Sequence, residues 1–242
     1  MFATKPDSTT PLQLHLDMLD AVSHDIRGAF GIISGLISVL PFAGNDTEKE
    51  DIMYRLQKNS GYAFHMFSVL QDYSLFNSGK HKIEVSDFHP GPIFDGIRKK
   101  WSSIISKRNL SFSIQNSHDL YIHSDSQVTK NIAEHIIFSL LNKNKLAGIA
   151  VSWSISESGK AVCSISARGV IIPDRTVRIW NENAEGFHWE TGDDLSLNVA
   201  LLMCNKLDIE TKMIYNDATA EVGIKLGFIL SCKSDFPKLH SK

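Results

Sequence analysis

The chain has 242 residues, 43% of them apolar, and a formal net charge of −2, which is enough to bury one or two ordinary cores. The near-neutral charge gives no electrostatic basis for a nucleic-acid partner. Cys163, Cys204 and Cys232 are too scattered for a disulfide framework or a zinc knuckle and suit a reducing compartment. The N-terminal stretch has a single Lys and then polar residues instead of an apolar export segment, and the longest apolar runs read as interrupted well short of a membrane span. The expectation is a cytoplasmic protein with no membrane partner.

The first predicted element is a helix over residues 12–40, about 43 Å long at 1.5 Å per residue, ended by Pro41 and Gly44. Leu12, Leu19, Ile26, Ile33 and Leu40 recur every seven residues, with Leu16, Phe30 and Ile37 in a neighbouring stripe and Val22, Ala29 and Leu36 beside both. A second helix is expected from a capping box at Thr47-Glu48-Lys49-Glu50, with Ile52, Leu56, Ala63, Met66, Val69, Leu70 and Tyr73 on its apolar side. The two helices are expected to pack antiparallel, and Asn77-Ser78-Gly79-Lys80 ends the second. The apolar arc of the first helix is wider than one partner can cover. A second copy, giving a dimeric four-helix bundle, is expected to cover it, the other possibility being the chain's own C-terminal half.

His24, in Ser23-His24-Asp25-Ile26-Arg27, falls roughly 140° around the helix from the leucine stripe and is therefore expected to be wet. An exposed neutral imidazole can attack a phosphoryl donor presented by another protein. Asp25 is placed to orient the ring or hold a proton, and Arg27 to meet phosphate oxygens if it turns toward the site. Gly28, Ala29, Gly31, Ser34 and Gly35 leave a low surface after the histidine, suited either to close approach of a partner or to tight helix packing.

Beyond the break, strands are expected over residues 82–86, 110–115, 120–123, 149–156, 161–167 and 224–230, and helices over 92–105, 127–141 and 194–207. Ser124 with Gln127 reads as a capping box, and Glu157-Ser158-Gly159-Lys160 as a hairpin turn. This alternation suggests helices on one face of a mixed sheet. No glycine-rich phosphate nest or magnesium-holding set is evident: Gly169, Gly186 and Gly192 are isolated, and Asp193-Asp194 reads as a helix cap. His81, His89, His118 and His123 show no metal-ligand spacing, and His65 reads as a packing residue. Arg98-Lys99-Lys100 with Lys107-Arg108 could attract an acidic surface or simply be a solvated helix end.

The histidine segment and the run Leu70-Gln71-Asp72-Tyr73-Ser74-Leu75-Phe76-Asn77-Ser78-Gly79-Lys80 resemble the phosphoacceptor helices and following segment of two-component sensor histidine kinases, over about residues 12–232. The resemblance implies an α+β fold: an antiparallel helical hairpin (residues 12–80) forming a dimeric four-helix bundle, followed by a degenerate kinase-type α/β sandwich (residues 81–242). The departures bear on activity. Glu134 and Phe138 stand where the family's two asparagines are expected. Ala167-Arg168-Gly169-Val170-Ile171 replaces the Asp-x-Gly-x-Gly box, and Gly192-Asp193-Asp194-Leu195-Ser196-Leu197 has lost two phosphate-side glycines. Trp180, Phe187 and Trp189 are expected to fill the nucleotide-sized hollow. Gly28 stands where the family's phosphatases commonly use Thr or Asn.

What the resemblance then implies is a histidine phosphotransfer protein, with His24 as acceptor and Asp25 and Arg27 beside it. It would exchange phosphoryl groups with response-regulator receivers, without ATP-dependent autophosphorylation. No cofactor is intrinsic, and magnesium would come with the receiver. A homodimer is expected, and a histidine kinase is a further possible partner. The alternative is a non-enzymatic adaptor that binds receivers or a kinase by occupancy.

Overall fold

The computed structural model describes residues 11–115, 120–182, 190 and 193–231. They divide into two compact units: the described residues up to Leu70 with Glu190 and Asp193, and those from Gln71 to Glu182 and from Asp194 onward.

The first unit is a hairpin of α1 (Pro11–Val39) and most of α2 (Asp46–Asn77). Pro41 lies in a 3-10 turn, Leu40–Phe42, that follows α1. The cap of α2 begins two residues earlier than the expected Thr47. Asn45 Oδ1 accepts from Glu48 N at 2.8 Å, and Glu48 reaches back to Gly44 N at 2.8 Å. Asn is a stronger cap than Thr, and it stands where the chain leaves its extended path. The buried apolar positions of α2 include Ile52, Ala63, Met66, Val69 and Tyr73, with His65 buried among them.

In α1 the buried line is Val22, Ala29 and Leu36, expected only beside the main stripes, together with Met18, for which the sequence carried no expectation. Ile26 and Ile33 are half-buried, while Leu12, Leu16, Leu19, Phe30 and Ile37 stay exposed. The physical reason is width. One partner helix covers only the part of a broad apolar arc that it faces. By length and composition His15–Phe42 is apolar enough to cross a membrane, with mean hydropathy 1.4, so the expected interruption does not hold here. Its uncharged helical part runs only from Gly28 to Val39, about 18 Å against roughly 30 Å of hydrocarbon.

The second unit is a curled mixed sheet with helices. Strands β1 (Val85–Phe88), β2 (Ser111–Gln115), β3 (Ile122–Asp125), β4 (Gly148–Ile155), β5 (Ala161–Arg168), β6 (Glu210–Asn216) and β7 (Glu221–Leu230) lie in the order β1-β3-β7-β5-β4-β2, with β6 also on β7. The β2–β4 pair is parallel and the others antiparallel. Alternation sets the faces: Ala161, Cys163, Ile165 and Ala167 are buried, while Val162, Ser164 and Ser166 are half-exposed. One face of the sheet carries the core and the other is open.

The expected hairpin turn is present. Gly159 takes φ +76°, and Ser156 N bonds to Lys160 O at 2.9 Å. Burial pushes the Cys163 and Cys204 thiols well above the usual range, which makes them inert core groups.

Helices α3 (Gly91–Lys100), α4 (Ser102–Lys107), α5 (Ser126–Leu141), α6 (Asp174–Glu182) and α7 (Leu195–Lys206) complete the unit. The expected single helix over 92–105 is broken at Trp101, whose backbone leaves helical geometry as its ring is buried against Phe138. The first strand lies three residues later than expected, because Asp125 ties Glu84 N at 2.8 Å while pairing begins at Val85. β6 and α6 were not foreseen. β6 mixes charged and apolar residues as an edge strand does, and the Asn181 side chain covers that edge, bonding Met213 N and O at 2.8 Å each.

Candidate functional site

His24 lies on α1 about 160° from Val22, so burying the Val22 line turns it to solvent. Its side chain is 85% exposed and that of Asp25 53%. His24 Nδ1 is 3.5 Å from Asp25 Oδ1, an electrostatic contact longer than a hydrogen bond. The second oxygen of Asp25 is held: Tyr62 Oη on α2 donates to Oδ2 at 3.0 Å. Tyr62 was missed in the sequence because it is 37 residues from Asp25, and no local spacing links them. Arg27 is exposed and makes no ion pair among the described residues, so its guanidinium is not brought to His24 or Asp25.

An Nδ1–H facing the Asp25 carboxylate would leave the lone pair on Nε2. Gly28, Gly31 and Gly35 run along the same exposed face as His24. A Cβ at any of them would meet nothing within 4 Å. Close packing within the hairpin therefore does not account for these glycines, and the surface beside the imidazole is low and open.

Asp194 caps α7, accepting from Leu197 N at 3.2 Å. Its other oxygen accepts from Ser139 Oγ at 2.6 Å and Lys143 Nζ at 2.9 Å. A carboxylate thus already fills the helix N-terminus that a phosphate would need. Glu134 is paired with Lys100 at 2.6 Å, and Phe138 is buried against Trp101.

The residues one place further along α5 make the inward polar contacts. Besides Ser139, these include buried His135, whose Nε2 lies 2.9 Å from Asp72 Oδ2. Asn131 Nδ2 donates to both Asp72 oxygens at 3.2 and 3.1 Å. Gly169, at φ +75°, could not carry a side chain, since a Cβ would lie 2.1 Å from Lys145 O. Its role is that tight turn. Trp180 is fully buried in α6, while Gly186, Phe187, Trp189, Gly192, His118 and Cys232 lie outside the described residues. Among the described residues, Glu134, Phe138, Ser139, Lys143 and Asp194 are already engaged with neighbouring side chains, and this set does not fit a nucleotide with its metal.

Two further expectations are corrected. The α5 cap is Asp125, not Ser124. Its Oδ1 accepts from Gln127 N and Val128 N at 3.0 Å, because a carboxylate reaches both amides one residue closer. The basic run is mostly spent internally: Arg98 pairs with Asp95, Lys100 with Glu134, and Arg108 binds the carbonyls of Leu141, Lys143 and Asn144 at the end of α5.

No known protein family and no curated protein matches this chain by sequence. Solved structures do match it by fold. A chain of the Acinetobacter baumannii histidine kinase AdeS aligns with a TM-score of 0.55, at 12% identity, over 86% of this chain and 98% of its own. Histidine kinase ThkA, in complex with response regulator protein TrrA, gives 0.56 at 15% identity over 91% and 63%. A bacterial phosphotransferase gives 0.51 at 13% identity over 92% and 100%. The fold is a histidine-kinase-like one, shared by these kinases and by the phosphotransferase.

Proposed function

We propose that this chain is a histidine phosphotransfer protein of two-component signalling, which exchanges a phosphoryl group between His24 and receiver aspartates without phosphorylating itself from ATP. The observation that carries this reading is the exposed His24 beside a held Asp25, in a chain whose Asp194, Ser139 and Lys143 already satisfy one another. It is supported by a fold shared, over 92% of this chain, with a protein described as a phosphotransferase. The receiver partner is carried over from the ThkA complex with a response regulator.

The Nε2 lone pair of His24 attacks the phosphorus of a receiver acyl phosphate. The N–P bond forms as the acyl P–O bond breaks, and its electron pair stays on the receiver carboxylate. The ring keeps its Nδ1 proton and becomes cationic, facing Asp25, and attack by a second receiver carboxylate reverses the step. The receiver brings its own magnesium.

The same reading makes the protein a cytoplasmic homodimer. A second hairpin laid on Leu12, Leu16, Leu19, Phe30 and Ile37 would bury that arc in a four-helix bundle. His24 is about 120° around the helix from the arc's centre and stays open.

The test follows label from a prephosphorylated receiver to the purified chain with ATP removed. Acid-labile label that is lost in H24A and chases to a second receiver is the expected result. Receiver binding without label across a panel of receivers would replace this reading with the adaptor, and label from ATP alone would make the chain a kinase.

A further inference from the structure

We infer that Tyr62 is a positioning residue for phosphoryl transfer at His24, acting through Asp25; the inference rests on the reading of His24 as the acceptor. One carboxylate joins the two residues. Asp25 Oδ2 accepts the Tyr62 hydroxyl at 3.0 Å, and Oδ1 is the atom 3.5 Å from His24 Nδ1. An aspartate more than half exposed on a helix surface has several side-chain rotamers open to it. Tyr62, half-buried on the other helix, selects the one that turns Oδ1 toward the ring. A hydrogen bond of about 1 kcal/mol corresponds to roughly a fivefold bias in that population.

Two consequences follow for the chemistry. Before transfer, Oδ1 faces the Nδ1–H, which stays on the ring, and leaves the Nε2 lone pair as the attacking atom. After transfer, the same oxygen faces the cationic ring, so the carboxylate is already in place where charge develops. Without the hydroxyl, Asp25 turns away for much of the time, and both ring nitrogens compete for phosphorus. A purely structural tie between the helices would predict neither effect, since it would change stability and leave the regiochemistry alone.

The experiment uses the full chain, wild type and Y62F, with phosphoramidate as a small donor that needs no receiver. In that reaction His24 nitrogen attacks phosphorus as the donor's own P–N bond breaks, and the donor's protonated amino group leaves with that electron pair as ammonia. Phosphorus and nitrogen NMR on ring-labelled protein report the rate, the phosphorylated nitrogen and the resting tautomer.

Wild type is expected to carry phosphate on Nε2 and to rest with its proton on Nδ1. Y62F is expected to label about fivefold more slowly, to show an Nδ1-phosphorylated fraction and to rest as a tautomer mixture. The phenyl ring preserves packing, and a matched urea midpoint checks the fold; if the midpoint drops, the tautomer spectrum is taken well below it. Equal rate, isomer and tautomer in the two proteins would overturn the role of Tyr62. If wild-type His24 takes no label from either phosphoramidate or a receiver, the phosphotransfer reading itself fails, a result separate from the first.

Discussion

The two units treat their polar groups in opposite ways. On the hairpin, His24 is open, Arg27 makes no ion pair among the described residues, and three glycines leave an uncovered track. In the second unit, the histidine, carboxylates, amide and ammonium of the α5 surroundings bond one another: Asp72 with His135 and Asn131, and Asp194 with Ser139 and Lys143. Groups that remain available to a partner can do chemistry, whereas groups already satisfied hold structure. The difference is what favours the hairpin as the place of the proposed chemistry.

The comparison can be broken most sharply at Asp72. D72A removes the carboxylate that the buried His135 ring and the Asn131 amide both contact, and is expected to cost about 3 kcal/mol, read from urea unfolding. A loss below about 1 kcal/mol would show that this cluster is not holding the unit together. D194A removes the cap of α7 and leaves Lys143 without its carboxylate, for an expected loss of about 1–2 kcal/mol in thermal unfolding.

On the hairpin the sign should reverse. G31A meets no neighbouring atom and is expected to stabilise α1 by about 1 kcal/mol, while slowing transfer from a receiver that needs the low surface. Greater stability with unchanged transfer would remove the docking role of that track.

A further effect, confined to high pH, leaves transfer at neutral pH untouched. Burial pushes the Tyr73 hydroxyl up to about 12 from an ordinary 10.0. The unfolded chain therefore ionises first, so this contribution is complete below about pH 10 and is lost as pH rises through about 12. Y73F is expected to flatten the alkaline fall in stability without changing transfer rates at neutral pH.

Local rules were sufficient for some features and failed for others in a consistent way. The bounds of α1, α5 and α7, the β4–β5 turn and the exposure of His24 were legible, because helical period, caps and turn glycines act over a few residues. Which apolar line of α1 becomes buried was not legible, since the arc is wider than its partner. α6 and β6 were missed because a short helix and a charged edge strand have weak periodic signals of their own.

The sequence by itself therefore determined that a helix would carry an exposed histidine with an acidic neighbour, and that a helix-and-sheet unit would follow it. Only the tertiary structure decided that Tyr62 holds Asp25, that Asp72 is answered by His135 and Asn131, and that Asp194 is answered by Ser139 and Lys143. Each of those contacts joins residues on different elements. Their partners are chosen by how the elements pack, and periodicity, which describes one element at a time, carries no record of it.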